Sequence, residues 1–108
     1  MDDAKRKRLE AAGYTVTDTQ EFLGLSDEEM AYIDLHIALS DAVRDRRKAH
    51  GLTQQELAAR LGSSQSRVAK VEAGDTSVSL DLLVRALLAT GATVADIADV
   101  IAPARVPA

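Results

Sequence analysis

The stretch SQSRVAK, Ser64 to Lys70, sets Gln65, Ser66, Ala69 and Lys70 at positions i, i+1, i+4 and i+5. On a helix whose Val68 and Val71 face inward, those four share one outer strip. An amide, a hydroxyl, a methyl and an ammonium in a row suit the DNA major groove. Gln can bond adenine N6 and N7 together, and Ser can donate or accept. The Ala69 methyl can rest on a thymine methyl, and Lys70 can reach guanine acceptors or a phosphate. Arg67 lies to one side, within reach of either. Ten residues earlier, Thr53 and Gln54 open another helical pattern. The amides of that helix start, with the Gln54 side chain, can hold a phosphate and set the register of the reading strip. The candidate DNA contacts are therefore Thr53, Gln54, Ser64, Gln65, Ser66, Arg67 and Lys70.

Rival chemistries find little to work with. The chain has no cysteine and two histidines, His36 and His50, which read as surface residues. No thiolate or spaced histidine cluster is present, so no metal or cofactor is expected. No nucleophile elbow or phosphate-binding loop occurs, and the carboxylates stand at helix starts and on wet faces. The expectation is a protein that is not an enzyme.

The elements that position the strip are helical throughout. Ala and Leu dominate, and Tyr14, Phe22 and Tyr32 are the only aromatic residues, so the core must be aliphatic. Asp2–Ala12 reads as a short helix carrying the basic run Lys5 to Arg8, a solvated face. Tyr14–Val16 is rich in strand formers and reads as an edge strand or an extended linker. Asp18 or Thr19 should cap a helical turn that Gly24 stops, with Tyr14, Val16, Phe22 and Leu23 as local core. SDEE at Ser26–Glu29 is a capping box, and its acids suit the positive helix end. Met30, Ile33, Ile37 and Val43 then recur at helical spacing, either in one long helix or in two joined near 35–40. TQQE at Thr53 is a second capping box. Gly62 and Gly74 are stops, and Ser64, Ser79 and Thr93 are caps. Leu83 and Leu87 should face inward on the penultimate helix, and Val94, Ile97 and Ile101 on the last. Two short helices joined by Gly62-Ser63-Ser64 cannot pack antiparallel and must cross steeply. Ala58, small, lets their backbones approach.

Net charge is −4 over 108 residues, but the charges are polarised. From 37 to 74 there are seven bases and four acids, +3, whereas the remainder holds six bases and thirteen acids, −7. A polyanion is steered by such local fields rather than by the total.

The pattern from Ala38 to Ile101 resembles the Cro/repressor-type helix-turn-helix family, also called the xenobiotic-response-element family. The shared features are Leu52-Thr53-Gln54, Glu56-Leu57-Ala58, Gly62, Val68, Glu72 and Gly74. The resemblance implies an all-α, five-helix DNA-binding domain that acts as a homodimer on an inverted-repeat operator. It implies Gln54 as phosphate clamp, with Gln65, Ser66 and Lys70 as base readers. It also implies a partly buried ion pair between Arg47 and Glu72. Asp75 and Asp81 stand where relatives often carry a base. The preceding segment, LEAAGYTVTDTQEFLGLSDEEMAYIDLHIALSDAVRDRR, is similar to the leader of HigA-like antitoxins. Those neutralise a small basic ribonuclease toxin and repress their own operon. Residues 18–34 hold six acids and no base, which suits a basic partner. Residues 1–35 are thus expected as an extension serving toxin binding or dimerisation, 36–102 as the DNA-binding domain and 103–108 as a tail. With no long apolar run and no secretory signal at the start, a cytoplasmic protein without membrane attachment is expected.

Overall fold

The computed structural model describes residues 16–102. The expected helix at Asp2–Ala12, its basic run, Tyr14 and the proline-bearing tail lie outside those residues. Within them the chain is all-helical, with six helices and no strand. These are α1 (Val16–Leu23), α2 (Asp27–Ala49), α3 (Gln54–Leu61), α4 (Gln65–Glu72), α5 (Leu80–Ala89) and α6 (Val94–Ile101).

Val16 opens α1 rather than closing a strand, and Asp18 and Thr19 lie inside that helix instead of capping it. The reason is modest energetics: β-branched residues cost only tenths of a kcal/mol each in a helix. Phe22 and Leu23, read as local core, are 75% and 57% exposed. A helix this short, ended by Gly24, turns them outward.

The long helix α2 is continuous over 23 residues. The box forms as read: Ser26 Oγ accepts from the Glu29 amide at 3.1 Å, and the Ser26 amide donates to Glu29 Oε1 at 3.2 Å. Arg46, Arg47 and Lys48 occupy the last turn, where positive charge suits the carbonyl end. No Gly or Pro falls within α2, so nothing breaks it at 35–40.

Helix α2 packs against α4, α5 and α6, and α3 lies across α4 and α5. The core is aliphatic: Leu39 and Val43 from α2, Leu57 and Ala58 from α3, Val68 and Val71 from α4, and Leu83, Ala86 and Leu87 from α5. Ile97 is the inward residue of α6. Val94 and Ile101, expected beside it, are 78% and 52% exposed. An eight-residue helix on the rim covers the core with one narrow stripe, and its ends overhang. His36 is a further correction: it is fully buried, not a surface residue. It belongs to the buried stripe of α2, with Met30, Ile37, Leu39, Ser40 and Val43.

Candidate nucleic-acid interface

Helix α3 ends at Gly62, whose φ of +68° is the left-handed conformation that favours glycine. The Ser63 amide donates back to the Ala58 carbonyl at 2.9 Å, and Ser64 starts the next helix by accepting from the Arg67 amide at 3.2 Å. The three-residue hinge leaves α3 and α4 crossed, with Leu57, Ala58, Val68 and Val71 buried between them and the core. With Val68 and Val71 inward, Gln65, Ser66, Arg67 and Lys70 are exposed together and Ala69 is half-buried at the inner edge of the strip.

Several of these side chains hold one another. The Ser64 and Ser66 hydroxyl oxygens are 3.2 Å apart, and Gln55 Nε2 donates to Gln65 Oε1 at 3.3 Å. Gln55 was not singled out by the sequence pattern. It meets Gln65 only because the hinge folds α3 back over the start of α4, a contact no periodicity signals. A hollow of about 210 Å³ lies over Ser64, Ser66, Arg67 and Lys70. A larger groove of about 400 Å³ lies on the other side of Arg67 and Lys70, walled by Ser77, Ser79, Asp81 and Arg85. Arg67 and Lys70 therefore line both polar hollows.

The two acids beside that groove are engaged locally. Asp75 Oδ1 accepts from the Ser77 hydroxyl at 2.7 Å and the Ser77 amide at 2.8 Å. Those bonds, the hydroxyl foremost, hold the Asp75 carboxyl below the usual carboxylate range. Asp81 pairs with Arg85 at 3.3 Å, one turn on along α5. Arg85 is a further cation of the groove that sequence reasoning passed over, because it lies outside the resembling motif residues.

Behind the strip, Arg47 Nε donates to Glu72 Oε2 at 2.6 Å and Nη2 donates to Oε1 at 2.9 Å. Nη1 donates to the Leu52 carbonyl at 2.8 Å, so one guanidinium ties α2, the start of α3 and the end of α4. The pair is largely shielded, with side chains 12% and 6% exposed. Its hydrogen bonds to Glu72 raise the Arg47 pKa further above its ordinary value. Gln54 is half-buried and its Nε2 donates to Glu72 Oε1 at 3.4 Å, so its side chain leans toward the ion pair. Thr53 completes the second box: its hydroxyl accepts from the Glu56 amide at 3.1 Å and its amide donates to Glu56 Oε1 at 3.0 Å. The arrangement thus gathers Ser64, Gln65, Ser66, Arg67 and Lys70 on one ridge. It sets Thr53 and Gln54 at the neighbouring helix start.

A protein-family model described as "Helix-turn-helix" matches residues 43–97, which span the end of α2 through the first half of α6. No curated protein and no solved structure matches the chain.

Proposed function

The chain belongs to the helix-turn-helix family, of the Cro/repressor type, and is a DNA-binding transcription regulator; on that premise we propose that it is a sequence-specific repressor. The observation that carries the reading is the exposed ridge Gln65, Ser66, Arg67 and Lys70 on α4, buttressed from behind by Arg47 and Glu72. Helix α4 enters the major groove, and the first turn of α3 grips the flanking phosphate through its amides and Gln54. Gln55 fixes the Gln65 amide, leaving the Gln65 nitrogen to donate to a purine N7. A homodimer sets two such helices about 34 Å apart on an inverted repeat, and occupancy of the promoter represses it. The apolar Leu88, Val94 and Ile101, exposed on α5 and α6, support a second copy packing there.

The test is a mobility-shift titration with a duplex selected from random DNA. Gln65→Ala with Lys70→Ala weakens binding by roughly 1–3 kcal/mol per lost base contact while helicity is unchanged. Unchanged binding by the double variant refutes the assignment.

The leader supports a finer reading, an antitoxin that neutralises a small basic ribonuclease toxin and autoregulates its operon. Phe22, Leu23 and Tyr32 are exposed, and Asp27, Glu28 and Glu29 stand beside them in sequence. An apolar patch flanked by carboxylates suits a basic protein surface. Deleting residues 1–25 then releases the toxin and spares most DNA binding. A complex that stays intact after that truncation ends the antitoxin reading without touching the repressor one.

A further inference from the structure

His36 is buried to 0% exposure on α2, and its Nε2 lies 2.9 Å from the carbonyl oxygen of Val78, 42 residues away. A carbonyl can only accept, so Nε2 carries the proton and donates. The opposite ring nitrogen, Nδ1, has no hydrogen-bond partner among the described residues, nor has the hydroxyl of Ser40 one turn further on. A buried imidazole with half its hydrogen-bonding capacity unused is a poor choice for packing alone, where a leucine would fill similar space at no desolvation cost. What the ring secures is the turn that joins α4 to α5.

That turn has two local ties. The Val78 amide donates to the Asp75 carbonyl at 3.1 Å, and Asp75 Oδ1 accepts from Ser77. Both act within residues 75–78 and shape the turn, while the Val78 side chain is buried in the core without fixing the direction of the Val78 carbonyl. The bond from His36 anchors it to the longest helix of the molecule. Ser77 and Ser79 flank Val78, and with Lys70, Arg67 and Arg85 they wall the groove beside the reading ridge. That groove sets the Ser79 hydroxyl beside Arg67 and Lys70, with Arg85 paired to Asp81 on its far wall, and the excess of positive charge suits a phosphate of the DNA backbone.

We infer that His36 is a positioning residue for DNA binding: by holding the Val78 carbonyl it fixes the turn that presents the Ser79 hydroxyl, whose oxygen accepts from the Leu82 amide and whose proton is left to donate, to the phosphodiester chain. This rests on the repressor reading above. Without the tie the turn must be ordered on the DNA at each binding event, and the loss falls on phosphate contact, which is blind to sequence.

The experiment compares two variants in the full chain. In His36→Gln the amide nitrogen lies as many bonds from the backbone as Nε2 does and can still reach Val78. In His36→Asn it falls one bond short. Both keep a buried polar amide, so burial and polarity are matched. Binding to the selected duplex and to single-base-pair variants of it is measured across a salt series, at a temperature where both variants keep wild-type helicity. The expected result is wild-type behaviour for His36→Gln and a roughly two- to tenfold loss for His36→Asn. That loss is the same on every duplex and leaves the salt slope unchanged, because a serine hydroxyl neutralises no phosphate charge. Equal binding by the two variants overturns the inference, as does a loss confined to particular base pairs. Failure of the wild-type protein to select any duplex removes the repressor reading and this inference with it. Should His36→Asn not fold, the wild-type ring proton on Nε2 serves instead. It exchanges slowly with water and its resonance shifts when the duplex is added; a resonance indifferent to the duplex overturns the inference.

Discussion

Glu72 is an acid at the end of α4, the helix proposed to face a polyanion, and Arg47 offsets its charge there. The two side chains make a bidentate pair that is largely shielded from water, so Glu72 presents little charge outward. Removing the carboxylate leaves a shielded guanidinium with the Leu52 carbonyl as its remaining partner. Glu72→Ala is therefore expected to cost about 3–5 kcal/mol of unfolding free energy in urea titrations, and Glu72→Gln distinctly less. A Glu72→Ala loss below about 0.5 kcal/mol would mean that the pair is only a surface contact. At this scale the sequence was partly legible. The reading strip followed from helical spacing, because Val68 and Val71 determine which residues must face out. Gln55 and the burial of His36 did not follow. Both depend on contacts across the fold, from α3 to α4 and from α2 to the turn at Val78, and pattern along one helix carries no information about them.

Each helix start from α2 to α6 is closed by a Ser or Thr hydroxyl that accepts from an amide of the first turn. At α3 and α6 the third residue answers. The Thr53 amide donates to Glu56, and the Thr93 amide to Asp96 at 2.8 Å. These backbone bonds, with the capping hydroxyls second, draw the Glu56 and Asp96 carboxyls below the ordinary range, as Ser77 does for Asp75. A carboxylate whose folded pKa is depressed adds stability above its unfolded pKa, near 4, and loses that stability as pH falls through the folded value. Thermal midpoints followed by circular dichroism are thus expected to change little from pH 7 to about 5 and to drop below about pH 4. Thr93→Ala, which lacks the capping hydroxyl, lowers the neutral-pH stability by about 1 kcal/mol and flattens the acid limb. A midpoint that rises on acidification would contradict this account of the caps. Elements were the most legible scale, since caps and glycine stops are local chemistry. The misreadings came at the margins. Val16 joins a helix rather than a strand, and Val94 and Ile101 overhang the core rather than entering it. For Val94 and Ile101 the deciding factor is what lies alongside, which local sequence does not encode.

Taken whole, the molecule is polarised, with a basic middle in an otherwise acidic chain. The central segment from 37 to 74 carries +3 and the rest −7; of its bases, Arg67 and Lys70 line the groove beside α4, joined there by Arg85. Helix α2 runs unbroken from the acidic start at Asp27 to the basic end at Lys48, so residues 35 and 36 share one rod. No helix among the described residues is long and apolar enough to cross a membrane. The architecture was legible because aliphatic stripes at helical spacing leave few ways to pack five short rods. What covers the apolar side chains left exposed was not, because a covering surface is not written in this chain. The central claim is that α4 reads the major groove, and duplexes carrying 7-deazapurines test it most directly. That replacement deletes the N7 acceptor from the major groove and leaves the minor groove unchanged. The account predicts a loss of roughly 1–3 kcal/mol for each deazapurine placed under Gln65 or Lys70, and none for substitutions outside the two half-sites. Binding that ignores N7 everywhere, yet falls when minor-groove groups are altered, would contradict it.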